Sequence, residues 1–222
     1  MTAYTLTLQI DAADLPPLQQ AGEQIVLVRR LADAGRCVAW AVLALAPSHT
    51  FSWNDDYSLY ASNTPNAVGN LVSVGAATTV TWQCGYRYTS VGFSSPTPDP
   101  TLGSSTVQLV NQVPAATAAS MLVGLAQAYA VDGGASGTAQ PLNAQTVPAQ
   151  QIARFTASQA VWIYLASGLQ TGMIVTTPVT ATPMLDTRQV FSPALLLPFS
   201  AAAPNQTARY SSTLGSFYAT ST

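Results

Sequence analysis

Residues 4–10 read Tyr4-Thr5-Leu6-Thr7-Leu8-Gln9-Ile10, with large apolar side chains at even positions and polar ones at odd positions. Successive side chains of a strand point to opposite faces, so a period of two marks a strand with one buried face. The period returns at 78–89, where Val80, Trp82, Cys84, Tyr86 and Tyr88 share one face and Thr79, Thr81, Gln83 and Arg87 share the other. Residues 37–45 are continuously apolar, which predicts a strand buried on both faces, and Pro47 ends it. Further strands are expected near 25–28, 51–53, 57–61, 71–74, 107–110, 121–131, 152–155, 160–166, 173–177, 189–191, 195–199, 209–211 and 216–219. Residues 115–130 are Ala-rich enough for a helix, but Gly124 and the alternation favour a strand. Pro16-Pro17 limits 11–20 to a turn or one helical turn. The expected class is all-β.

Three features occur twice in the same order. Tyr57-Ser58-Leu59-Tyr60-Ala61-Ser62 matches Trp162-Ile163-Tyr164-Leu165-Ala166-Ser167. Gly69-Asn70-Leu71-Val72-Ser73 matches Gly172-Met173-Ile174-Val175-Thr176. Arg87-Tyr88-Thr89-Ser90 before Phe93 matches Arg209-Tyr210-Ser211-Ser212 before Phe217. Between the copies, residues 94–105 hold three prolines among Ser, Thr and Gly, a composition expected to hold neither ladder nor helix. The expected organisation is an internal duplication: a β-sandwich half at 1–93, a linker at 94–105 and a second half at 106–222, either tandem or related by a pseudo-twofold axis. The repeated glycines suit positive φ at the start of a strand. Arg87 and Arg209 are expected to satisfy buried carbonyls.

The composition closes off several functions. Only 7% of the 222 residues are charged, against about 25% in an average domain. The seven basic residues are all Arg, and Glu23 is the sole Glu. Without a basic stripe, binding to nucleic acid or to anionic lipid has no electrostatic driving force. Without Lys, Schiff-base chemistry and a phosphate loop are both excluded. No run reaches the roughly 18 apolar residues of a membrane helix. The N-terminal segment has no basic region and reads as no secretory signal, which leaves a cytoplasmic or a non-classically exported protein. Cys37 and Cys84 read as two thiols in strands rather than a disulfide framework or a metal site.

His49 is the only histidine, so a Ser-His-Asp or Cys-His mechanism would rest on it. Asp55 and Asp56 are adjacent, so on a strand they would face opposite ways and make a poor pair for glycoside hydrolysis. Asn54-Asp55-Asp56 is read as a turn rather than a calcium site. No catalytic residue, metal or cofactor is expected. The most site-like cluster is Trp53, Asn54, Asp55, Asp56, Tyr57 and Tyr60, an aromatic platform beside amide and carboxylate groups that suits a sugar. The competing reading places Trp53 and Tyr57 in the core, flanking a turn.

Two functions remain. A surface with few charges repels its own copies weakly, and strand edges without Lys lack the usual block to pairing. The first expectation is therefore a non-catalytic, self-assembling structural protein whose partner is itself. The alternative is a glycan- or lipid-binding, toxin-like module using residues 53–60. An enzyme comes last.

The segments Tyr57-Ser58-Leu59-Tyr60-Ala61-Ser62, Gly124-Leu125-Ala126-Gln127, Pro141-Leu142-Asn143 and Gly172-Met173-Ile174-Val175 resemble a recurrent type of small β-rich protein in fungi and bacteria. The resemblance spans most of residues 4–218. It implies an all-β unit of about this length and carries over no activity and no site residues.

Overall fold

A computed structural model describes residues 2–32, 35–178 and 192–220. The expected strand at 189–191 falls mostly outside them. The first half contributes β1 (Ala3–Gln9), the short helix α1 (Leu15–Gln20), β2 (Glu23–Arg30), β3 (Arg36–Leu43), β4 (Ser48–Asn54), β5 (Tyr57–Ser62), β6 (Ala76–Thr79), β7 (Cys84–Thr89) and β8 (Gly92–Phe93). After β9 (Thr97–Pro98) come β10 (Thr106–Asn111), β11 (Ser120–Gln127), β12 (Ala130–Val131), β13 (Gln140–Pro141), β14 (Asn143–Pro148) and β15 (Ile152–Thr156). The chain closes with β16 (Ala160–Ser167), β17 (Ile174–Val175), β18 (Leu195–Pro198), β19 (Asn205–Ser211) and β20 (Ser216–Thr220). The fold is all-β, as the period of two requires.

A ten-stranded sheet has the order β18-β16-β2-β3-β14-β11-β5-β6 with β13 and β17 attached, and two smaller sheets have the orders β12-β4-β1-β19-β20 and β15-β10-β7-β8. Each sheet draws strands from both sides of residues 94–105, so the two halves are interleaved. The pairing scheme repeats. β1 runs parallel to β19 and antiparallel to β4, while β10 runs parallel to β7 and antiparallel to β15. β2 lies between β16 and β3, while β11 lies between β5 and β14. The β7–β8 pair sets Tyr88 opposite Phe93, and the β19–β20 pair sets Tyr210 opposite Phe217. Both aromatic pairs meet edge to face.

One core joins all three sheets. Leu6 and Leu8 of β1, Leu27 of β2, Val107 and Leu109 of β10, and Ile163 of β16 belong to it. Burying such a side chain stabilises by about 1.5–3 kcal/mol. The opposite face of the large sheet carries two smaller clusters, one around Trp162 and Tyr164 and one around Tyr60 and Ile174.

Four details depart from the expectations. The run 78–89 is not one strand: β6 and β7 lie in different sheets, and the chain turns between them with Gln83 at φ 55°. Residues 94–105 do hold a short ladder, because Thr97 and Pro98 pair with Gly85 and Cys84 at a sheet edge, where Pro is tolerated. Tyr57 faces the central core while Trp162 faces the other side, so by face Tyr60 corresponds to Tyr164, one residue from the match read in the sequence. The arginines cap no buried carbonyl: Arg209 pairs with Asp11 at 2.6 Å on the surface, and Arg87 is exposed.

Gly69 and Gly172 do have positive φ, at 89° and 85°. Their segments meet each other, however. Leu71 bridges Met173, the Gly69 N–H donates to the Ile174 carbonyl at 2.9 Å, and the Ile174 N–H donates to that of Asn70 at 2.8 Å.

Candidate functional site

The same alternation that buries Ile25 and Leu27 on β2 carries Arg29 into the core, where it is 1% exposed. Its Nη2 donates to the Tyr57 hydroxyl at 2.8 Å, to the Ser158 carbonyl at 2.6 Å and to Gln159 Oε1 at 2.6 Å. The guanidinium carbon lies 5.1 Å from the ring centroid of Trp40, 5.5 Å from that of Trp53 and 6.0 Å from that of Tyr57. These faces offer negative quadrupole density to a cation removed from water. Burial pulls the Arg29 pKa down, while Tyr57 and Asp55 pull it back up.

The six residues singled out in the sequence divide into three groups. Trp53, Asp55 and Tyr57 converge on this arginine. Trp53 stacks on Tyr4 at 5.6 Å and meets Phe199 edge-on at 4.8 Å. Asp55 accepts from Gln159 Nε2 and, at 3.3 Å, from the Tyr4 hydroxyl. Tyr57 is buried with its hydroxyl on Arg29 and Gln159, and burial raises its pKa. Asn54 and Asp56 are exposed and line a 140 Å³ surface pocket with Ser52, Trp53 and Ser136. Tyr60 points to the opposite face of the large sheet, where its hydroxyl donates to the Asn143 carbonyl at 2.6 Å.

A sugar platform needs an open ring face. At 3% exposure each, Trp53 and Tyr57 are closed off by Tyr4, Trp40, Phe199 and Arg29. The Asn54-Asp55-Asp56 turn carries the chain from one sheet to another, from β4 to β5.

Arg29 and Gln159 were missed in the sequence. Arg29 had a signal, a charge in phase with Ile25 and Leu27. Gln159 had none, since it lies between two strands in a chain rich in Gln.

Neither nitrogen of His49 is free. Nδ1 lies 2.8 Å from Asp132 Oδ2, and Nε2 lies 2.8 Å from the Ala44 carbonyl. Both partners are acceptors, and only an imidazolium donates to both. Asp132 also accepts from the Thr50 N–H at 2.7 Å. The group pins the turn after β12 to β4.

Cys37 is half-buried, Cys84 is buried, and both are free thiols. Among the described residues, no three His, Cys, Asp or Glu side chains converge on a metal position, and no helix is long and apolar enough to cross a membrane.

Comparison with known proteins returned no matching family model, no matching curated protein and no matching solved structure.

Proposed function

We propose that this chain is a non-catalytic structural protein that assembles with copies of itself, built on a duplicated β-sandwich half. The repeated pairing of β1–β19 with β10–β7 supports the duplication. The observation that carries the assembly reading is the edge at β15. In the repeated scheme β15 occupies the place of β4. β12 covers the outer edge of β4, whereas β15 pairs only with β10 among the described strands. The ladder is flanked by bonds from the Asn111 N–H to the Gln151 carbonyl and from the Ala157 N–H to the Ser105 carbonyl. Alternation along an antiparallel pair then turns the N–H and C=O of Ile152 and Arg154 outward.

An edge of this kind is a template for a further strand. Its one charge does not guard it, because Arg154 Nε folds back onto Gln108 Oε1 at 3.0 Å. Ile152, 54% exposed, adds an apolar contact. The occupant that fits is β15 of a second copy, since the low surface charge opposes self-association weakly.

Sedimentation velocity over a wide concentration range tests the reading. Concentration-dependent oligomers are expected, together with their loss in Ile152→Lys, a surface change that places a charge on the edge. A strict monomer at high concentration removes the proposal.

A lipid-binding reading draws on a separate observation. The tips of the two corresponding hairpins, β7–β8 and β19–β20, expose Val91 at 96% and Leu214 at 60%. Flotation with neutral phosphatidylcholine vesicles, lost in a Val91→Ser/Leu214→Ser double variant, favours this alternative.

A further inference from the structure

We propose that a cavity of about 410 Å³ at the loop between β2 and β3 binds a small organic carboxylate with an apolar body. The inference is independent of assembly and rests on three observations.

The first is charge. Arg29 and Arg36 both line the cavity, and none of its described lining residues is Asp or Glu. In a chain with seven basic residues this is a local concentration of positive charge. A cleft with low-dielectric walls focuses such a field toward an anion.

The second is unfilled hydrogen-bonding capacity in the lining side chains. Arg29 Nε and Nη1 and Asn143 Nδ2 are buried and have no hydrogen-bond partner. Arg29 and Asn143 are themselves 1% and 5% exposed. Both are held in place from the other side, Arg29 through Nη2 and Asn143 through Oδ1, which accepts from the Leu125 N–H at 2.9 Å. Buried donors left unpaired are costly, and a carboxylate supplies the acceptors they lack. The rings of Trp40 and Trp53 provide part of the balance for Arg29 but no acceptor lone pair.

The third is shape. Leu142, Trp162 and Leu196 form an apolar wall beside these donors. A few convergent polar groups on an apolar wall, in a volume of about 300–1,000 Å³, describe a small-molecule site. The combination selects an acid with a hydrocarbon tail or ring over a free inorganic anion.

Octanoate is the test probe, with octanol and octylamine as neutral and cationic controls, and inorganic phosphate as the anion without a body. Cys37 also lines the cavity and is the more accessible of the two thiols. Its alkylation by iodoacetamide, followed by peptide mass spectrometry, reports occupancy. Burial raises the Cys37 pKa, so labelling is run at alkaline pH. Saturable calorimetric binding of octanoate alone is expected, with Cys37 alkylation slowed several-fold at saturation. Arg36 is exposed, so Arg36→Gln folds normally and is expected to weaken octanoate about tenfold. Absence of saturable octanoate binding overturns the proposal. So does equal binding of octanol or of phosphate, unprotected Cys37, or unchanged affinity in Arg36→Gln.

Discussion

Arg29 Nη2 donates to Gln159 Oε1 at 2.6 Å, and Gln159 Nε2 donates in turn to Asp55. The amide thus links a fully buried cation to a half-exposed carboxylate. Gln159→Leu keeps the approximate volume and cuts the link. It is expected to cost about 3 kcal/mol, the upper range for hydrogen bonds to a charged group. Asp55→Asn keeps the shape and removes the distant charge, and is expected to cost less. Urea denaturation of both variants checks the order, and the link fails if Gln159→Leu is as stable as the parent.

Gly124 sits in the interior of β11 because nothing larger fits. A Cβ there would overlap the Asn143 carbonyl oxygen and lie 2.7 Å from Tyr60 Cε1 and 2.8 Å from Asn143 Oδ1. Tyr60 crosses over this glycine to reach Asn143. Gly124→Ala is expected to destabilise by about 3 kcal/mol through overpacking. Thermal unfolding measures it. Gly133→Ala is the comparison, since its Cβ meets nothing within 4 Å and only its φ of 73° opposes the change.

Hydrogen bonds from the Thr50 N–H and from His49 hold Asp132 below the usual carboxylate pKa. A folded pKa below the unfolded one stabilises the protein above the unfolded value, and the contribution is lost as pH falls through the folded value. Asp132→Asn is therefore expected to lower the melting temperature at neutral pH and to change little at pH 3. The side chain is 51% exposed, so the effect stays below about 1 kcal/mol. Thermal scans across this pH range read it directly.

Tyr60 and Tyr164 hold corresponding places on the outer face of the large sheet, and burial pushes both hydroxyls well above the ordinary tyrosine value. Raised folded pKa values keep these two protonated while the fold persists. In a spectrophotometric titration their ionisation is expected to coincide with alkaline unfolding. Tyr60→Phe removes one such group and the bond to Asn143, at a cost of about 1–3 kcal/mol for the carbonyl left unpaired.

If copies join through β15, the contact is made by backbone groups and Ile152. Its strength is then expected to hold between low and molar salt, because the charges that salt screens take no part. Light scattering over a salt series checks this, and dissociation at high salt counts against the edge.

The strands were legible wherever one face is buried. Leu6 and Leu8 announced β1, and the apolar run at 37–45 announced β3. The sheet change between β6 and β7 was not legible, because Val80 and Trp82 keep the alternation while the backbone turns at Gln83. The candidate site was half legible. Aromatic and acidic residues at 53–57 signalled a cluster, yet the group they surround, Arg29, lies on β2, and Gln159, which completes it, is more than a hundred residues from Asp55.

By itself the sequence determined the all-β class, through a period of two that only strands satisfy, and it removed lysine chemistry by omission. Only the tertiary structure decided which strands meet. Thr5 lies beside Asn205, and Val107 beside Cys84. Sheet ladders are made by backbone groups that every residue but proline carries alike, so side-chain pattern names the strand and its buried face but not its neighbour. The same holds for Arg29: alternation sent it inward, and only the packing of β2 against three aromatic rings and Gln159 decided what it would meet there.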